Sequence, residues 1–253
     1  MKKTLIFLLF INLYAVQTQP IDHGTVVVVY DGDTIKVRFD SGVERKVRLI
    51  GIDTAEIEDT PFATRLEALL AKRFTFFHLY RKRIKLTYER ELEDRFGRLL
   101  AYVWDENGLF NQFILEQGFS RVFLKFSYAL KDTFIHAQKE AQDRGRGFWH
   151  DKPYPAINVR QVKKHIGKLT RVRFVCTRIR KSGRLLFLQT KTGNFAAVIQ
   201  NQYLSSFKNI QKMKGKSLEV FGFLEEYRGQ PQIMLFISSQ INNLGTGTEL
   251  IQY

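Results

Sequence analysis

The residues able to do chemistry in this chain are carboxylates and arginines gathered in three short segments. Tyr30-Asp31-Gly32-Asp33-Thr34 holds two aspartates. Arg48-Leu49-Ile50-Gly51-Ile52-Asp53-Thr54-Ala55-Glu56 holds an arginine and two acids, and Asp94-Arg95-Phe96-Gly97-Arg98 supplies a second arginine. Asp33 and Asp53 are hard anionic oxygens, each expected where a strand ends and main-chain carbonyls come free. The Thr54 carbonyl adds a further oxygen, and Ca2+ accepts such mixed sets without strict geometry. No His/Cys cluster suited to zinc or iron occurs in the sequence. Glu56, three residues after Asp53, is placed to take a proton from water or to orient it. A planar guanidinium at Arg48 or Arg98 can hold two phosphate oxygens and stabilise the charge that builds during attack. Together these groups are what metal-assisted cleavage of a phosphodiester requires. Taken singly, each has a plainer reading. Asp-Gly-Asp is ordinary turn composition, Glu56 sits among Glu58 and Asp59 like a surface charge, and a lone arginine is often a structural ion pair.

Alternating apolar residues must position these groups. Residues 25–30, then Ile35, Val37 and Phe39, then Val47 to Ile52 predict a three-strand meander with the carboxylates near strand ends. Leu66, Leu69, Leu70, Phe74 and Phe77 recur at helical spacing over residues 63–77. Two more strands are expected over 84–88 and 99–104, and two more helices over 111–117 and 133–144. Five strands with three packing helices fit a small barrel of the oligonucleotide/oligosaccharide-binding (OB) type. Beyond 151–158, read as a linker, five strand-like stretches (169–179, 184–190, 195–199, 217–225 and 232–237) predict a second such barrel over 159–245. A loose tail is expected from about Asn242, with 246–253 outside the barrel. The fold class is therefore mainly β with helices (α+β), in two OB-type five-stranded barrels. Cys176, the only cysteine, falls in an apolar alternation and is read as core.

The three segments together resemble the staphylococcal nuclease (thermonuclease) family over about residues 24–149. The likeness includes Asn111, Gln117-Gly118 and the closing Gly147-Phe148-Trp149. It implies a Ca2+-dependent phosphodiesterase acting on DNA and RNA that leaves 3′-phosphate ends. It further implies that Asp33, Asp53 and the Thr54 carbonyl hold the metal and that Asp31 supports the site. Glu56 becomes the general base or water-orienting group, and Arg48 and Arg98 bind the scissile phosphate. Ala55 stands where proline is usual, Phe96 where tyrosine is frequent, and Leu124 and Phe126 where nucleotide-contacting tyrosines occur. Phenyl rings can still stack on bases. Arg95, Phe96 and Phe126 are accordingly expected to contact nucleic acid. The second barrel resembles nucleic-acid-binding barrels, with Arg171, Arg173, Arg178, Arg180, Lys181 and Arg184 as candidate phosphate contacts and Tyr227 and Arg228 on a polar turn.

Charge supports a polyanionic partner. The chain of 253 residues has a net charge of +15, and residues 158–253 alone carry 16 basic and 4 acidic side chains. Met1-Lys2-Lys3 followed by the apolar run Leu5 to Leu13 has the layout of a secretory signal over residues 1–19 and is short for a membrane span. The expectation is a secreted or envelope-associated monomeric nuclease over residues 20–150, with no integral membrane domain and no organic cofactor. An uncleaved N-terminal anchor is the alternative for location, and a non-catalytic nucleic-acid-binding scaffold at the cell surface is the alternative for function.

Overall fold

The computed structural model describes residues 21–55, 62–150 and 153–246. The expected leader over 1–19, the candidate base Glu56 and residues 247–253 of the expected tail lie outside them.

In chain order the first half comprises β1 (Ile21–Val29), β2 (Thr34–Phe39), β3 (Glu44–Leu49), β4 (Ile52–Asp53), α1 (Phe62–Leu79), β5 (Arg83–Thr87), β6 (Leu99–Asp105), β7 (Gly108–Leu109), α2 (Phe110–Glu116), β8 (Arg121–Val122) and α3 (Lys131–Asp143). The sheet order is β3-β2-β1-β5-β6-β7, and a parallel pairing of β3 with β6 closes five strands into a barrel. Inward residues Val26, Ile35, Val37, Val47, Leu49, Ile84, Leu86, Ala101 and Val103 are buried, as two-residue alternation requires. Asn111 of α2, fully buried, seals the closure. Its side chain accepts from Val103 N at 2.8 Å and donates to the Ile50 and Ala101 carbonyls at 2.9 and 3.3 Å.

The strand expected over 47–52 is two strands. Gly51 takes φ 76°, and a Cβ there would lie 2.6–2.7 Å from the Tyr128 and Phe134 rings. The chain turns at this glycine and Ile52–Asp53 leaves the barrel to pair with β8.

The second half contains β9 (Ala156–Asn158), β10 (Lys168–Val175), β11 (Arg178–Ser182), β12 (Leu185–Gln189), β13 (Ala196–Gln200), β14 (Lys216–Tyr227), β15 (Gln230–Leu235) and β16 (Ile241–Thr246). The expected strand over 169–179 is bent between β10 and β11. Cys176 N donates to Lys216 O and Thr177 N to Gln189 O, both at 2.9 Å, so one bent strand reaches both β14 and β12 and completes the path β11-β12-β13-β15-β14-β10. Both barrels thus share one connectivity: a meander, a third strand parallel to the fifth, and a fourth paired with the first. They form two OB-type barrels.

Two sequence expectations need correction. The stretch read as a linker ends in β9, which runs parallel to β10, and Tyr154 stacks on Phe221 while donating to the Gly147 carbonyl at 2.7 Å. The tail expected from Asn242 is β16, paired with β14 through Thr246. Cys176 is buried, as its alternation predicts, as are Phe174 and Phe195. No described helix is long and apolar enough to cross a membrane.

His78 on α1 is packed against Phe74, Phe77 and Phe113 at ring distances of 4.4, 5.1 and 5.1 Å. Burial drives its pKa from 6.5 down to about 4. Below the unfolded-state pKa the unfolded chain takes up a proton that the folded chain refuses, so this contribution is complete above about pH 6.5 and is lost toward pH 4. Between pH 7 and pH 4.5 this term lowers the midpoint of denaturant unfolding, so the wild-type midpoint should lose ground to that of His78→Phe over that interval. An identical pH dependence in both proteins would contradict the assignment.

Candidate active site

The turn between β1 and β2 exposes main-chain groups that the carboxylates then organise. Asp31 Oδ1 accepts from Asp33 N at 3.0 Å, closing an Asx turn. Asp33, 5% exposed, accepts from Thr54 N at 2.7 Å and Thr54 Oγ1 at 2.9 Å on one oxygen and from Thr34 Oγ1 at 3.0 Å on the other. Arg48, near the end of β3, pairs with Asp33 through Nη1 and with Asp53 through Nη2 at 3.2 Å. Three of the predicted residues are thereby joined in one network, and Asp31 and Thr54 are bonded into it.

The electrostatics follow from this packing. Burial pushes the Asp31 carboxyl up to about 7, and the neighbouring Asp33 carboxylate adds to the rise against a smaller opposing pull from Arg48. Burial also raises Asp53, with Arg48 opposing and Asp33 reinforcing. Three carboxylates thus gather about one guanidinium, with Lys125 acting on Asp53 and Lys72 near Asp31.

Arg98 stands at the entry to β6. β6 runs parallel to β3 with Leu100 opposite Arg48, and Arg98 immediately precedes β6 after the turn at Gly97. Asp94 fixes it: Oδ2 accepts from Arg98 Nε at 2.7 Å and Oδ1 from Arg98 N at 3.0 Å and Phe96 N at 2.9 Å. Burial would raise Asp94, but these bonds outweigh it and hold its carboxyl below the usual range. Among the described residues no partner engages Arg98 Nη1 or Nη2. The Arg95 and Arg98 guanidinium groups lie 4.8 and 5.4 Å from the centre of the Phe96 ring, itself 68% exposed. Phe126 and Leu124 are also exposed, on the loop after β8.

The donor set suits a hard cation. Among the described residues no three His, Cys, Asp or Glu side chains surround one point, so a site would combine Asp33 and Asp53 with main-chain oxygen and water. The Thr54 carbonyl accepts no main-chain hydrogen bond among the described residues. Such a set of two carboxylates and a carbonyl fits Ca2+.

The second-barrel candidates lie apart from this network and divide into two groups. Arg171 and Arg173 are both engaged by the buried Glu219, at 2.9 and 2.8 Å, which leaves them largely committed within the protein. Arg178, Arg180, Lys181 and Arg184 are exposed on β11 and its turn into β12, with no ion pair among the described residues, and Arg180 lies 4.9 Å over the Phe187 ring. Tyr227, 55% exposed, carries Arg228 over its ring at the tip of the β14–β15 hairpin.

Several contributors escape sequence reading. Thr34 and Asp94 flank predicted residues. Ser120 Oγ donates to the Asp53 carbonyl at 2.9 Å, and Arg121 is the register partner of Asp53. Fully buried Thr75 on α1 donates to the Gly32 carbonyl at 2.7 Å. Its signal was a hydroxyl inside the apolar run Phe74 to Phe77. Gly32 itself is wedged: a Cβ there would lie 2.5 Å from Thr54 Cγ2 and 2.9 Å from Ala71 Cβ. Gly32→Ala should cost about 1–3 kcal/mol of stability through forced displacement, measured by denaturant unfolding. An unchanged midpoint would show that the turn is not clamped.

A family profile described as Staphylococcal nuclease homologue matches residues 46–151. The chain is 35% identical over 125 residues to the thermonuclease of Staphylococcus hyicus, covering 49% of this chain and 73% of that one. It is 39% identical over 125 residues to the thermonuclease of Staphylococcus intermedius, covering 48% and 72%. An uncharacterized endonuclease of Escherichia coli is 33% identical over 155 residues, covering 60% and 92%. With this similarity on a closed barrel whose aspartates and arginine already meet, the chain belongs to the staphylococcal nuclease family.

Proposed function

We propose that this nuclease is a Ca2+-dependent enzyme that cleaves phosphodiester bonds of DNA, RNA or both and leaves 3′-phosphate ends. The observation that carries the reading is the bridging of Asp33 and Asp53 by Arg48, with Arg98 at the entry to β6, whose Leu100 lies opposite Arg48. Asp33, Asp53 and the Thr54 carbonyl would hold Ca2+, and Asp31 supports the turn. Bound there, the ion supplies Lewis-acid stabilisation of negative charge on the phosphate. Arg48 and Arg98 grip the scissile phosphate through their planar forks and stabilise the charge that accumulates during attack. Asp94 locks Arg98 through Nε, so its two Nη groups meet the substrate without reorganisation. Glu56 takes the proton from the attacking water or orients it.

Phe96 and Phe126 offer exposed rings for base stacking, and Arg95 adds a cation beside Phe96. The basic hairpin with Arg178, Arg180, Lys181 and Arg184, and the Tyr227-Arg228 tip, bind the phosphate backbone and retain long substrates. Arg171 and Arg173 contribute net positive charge while tied to Glu219. The leader directs the chain to the cell envelope or the exterior, where the enzyme works as a monomer without an organic cofactor.

Release of acid-soluble nucleotide should depend on added Ca2+ and stop with EGTA; an unchanged rate in EGTA would refute the metal role. Glu56→Gln should lower turnover by about 10²–10⁴-fold and Arg98→Ala by about 10²–10³-fold, with circular dichroism unchanged. Full turnover in these variants would overturn the assignment of roles.

A further inference from the structure

Helix α1 is built into both barrels at once. Leu70 and Phe74 belong to the first core. Leu69 is buried with Ala196, Val198, Met234, Phe236 and Ile237 of the second. The Phe74 and Phe77 rings meet Phe223 of β14 edge-on at 5.6 and 5.3 Å. Between these apolar contacts Arg73 makes a two-pronged ion pair with Glu225 of β14. The Glu225 side chain is 2% exposed and also accepts from Gln232 Nε2 at 2.7 Å. A carboxylate so deeply buried depends on its partner, because removing the cation leaves an uncompensated charge away from water.

The same stretch of helix holds the turn that carries Asp31 and Asp33. Thr75 donates to the Gly32 carbonyl at 2.7 Å, and the Ala71 methyl is packed so close to Gly32 that no side chain fits between them. Lys72, half-buried, lies within electrostatic reach of Asp31. Residues 69–77 therefore touch the second barrel and the carboxylate turn within little more than two helical turns.

We propose that α1 transmits the seating of the second barrel to the Asp31–Asp33 turn, and that Arg73 and Glu225 are positioning residues for the active site. The second barrel is then part of the catalytic frame as well as a means of retaining substrate. The kinetic half of this inference rests on the nuclease reading; the structural half does not. A barrel that only retained substrate would act through KM on long chains and leave turnover of a dinucleotide untouched.

The test compares the full-length protein with Arg73→Met, which strands the Glu225 carboxylate, and Arg73→Lys, which keeps the charge. Hydrogen–deuterium exchange should rise in Arg73→Met over residues 30–36 and 48–54 as well as over 216–236. On a dinucleotide, kcat should fall about tenfold while KM moves by less than about twofold, and Arg73→Lys should recover most of the loss. Increased exchange confined to α1 and 216–236, with unchanged dinucleotide turnover, would overturn the proposal. If Arg73→Met does not fold, the near-isosteric Glu225→Gln is read by the same two criteria. Should the wild-type protein cleave nothing, the nuclease reading fails, and the exchange pattern still decides the coupling.

Discussion

The structure depends on one guanidinium. Arg48 lies between the buried Val47 and Leu49 of β3 and ties Asp33 of the β1–β2 turn to Asp53 of the short strand after Gly51. Without it, carboxylates taken largely out of water would face one another without their paired guanidinium, an arrangement that a low-dielectric site penalises. With it, three separate strand ends share one address. Thr54 adds two hydrogen bonds to the Asp33 carboxylate and so fastens the same junction from the other side.

The rest of the first barrel can be understood as support for that junction. Closure between β3 and β6 sets Leu100 opposite Arg48, two residues beyond Arg98, and Asn111 satisfies the carbonyls that the closure leaves open. Gly51 turns the chain so that Asp53 leaves the barrel wall. Thr75 and Ala71 press on the turn from α1. Because α1 also carries Arg73 and Leu69 into the second barrel, the two halves share buried surface and a buried ion pair.

Much of this was legible in the sequence, for physical reasons. Two-residue alternation marked nearly every barrel strand, and helical spacing marked α1, because both reflect one buried face. The carboxylates and arginines stood out because charged groups near strand ends need a cause. Four things were not legible. The break at Gly51 depends on Tyr128 and Phe134, which lie far along the chain. The fates of Arg171 and Arg173 depend on Glu219, nearly fifty residues away, so local composition read them as free cations. Finally, β9 and β16 are short or polar and are held by pairing with β10 and β14, which propensity does not report. The second face of α1 was hidden likewise, since apolar residues at helical spacing do not say which of two cores receives them.

The most direct test is a crystal structure of the protein with Ca2+ and a nucleotide bearing a 5′-phosphate. The account predicts the ion on Asp33 and Asp53 and the phosphate on Arg48 and Arg98. An ion bound elsewhere, or a phosphate contacting neither arginine, would contradict it.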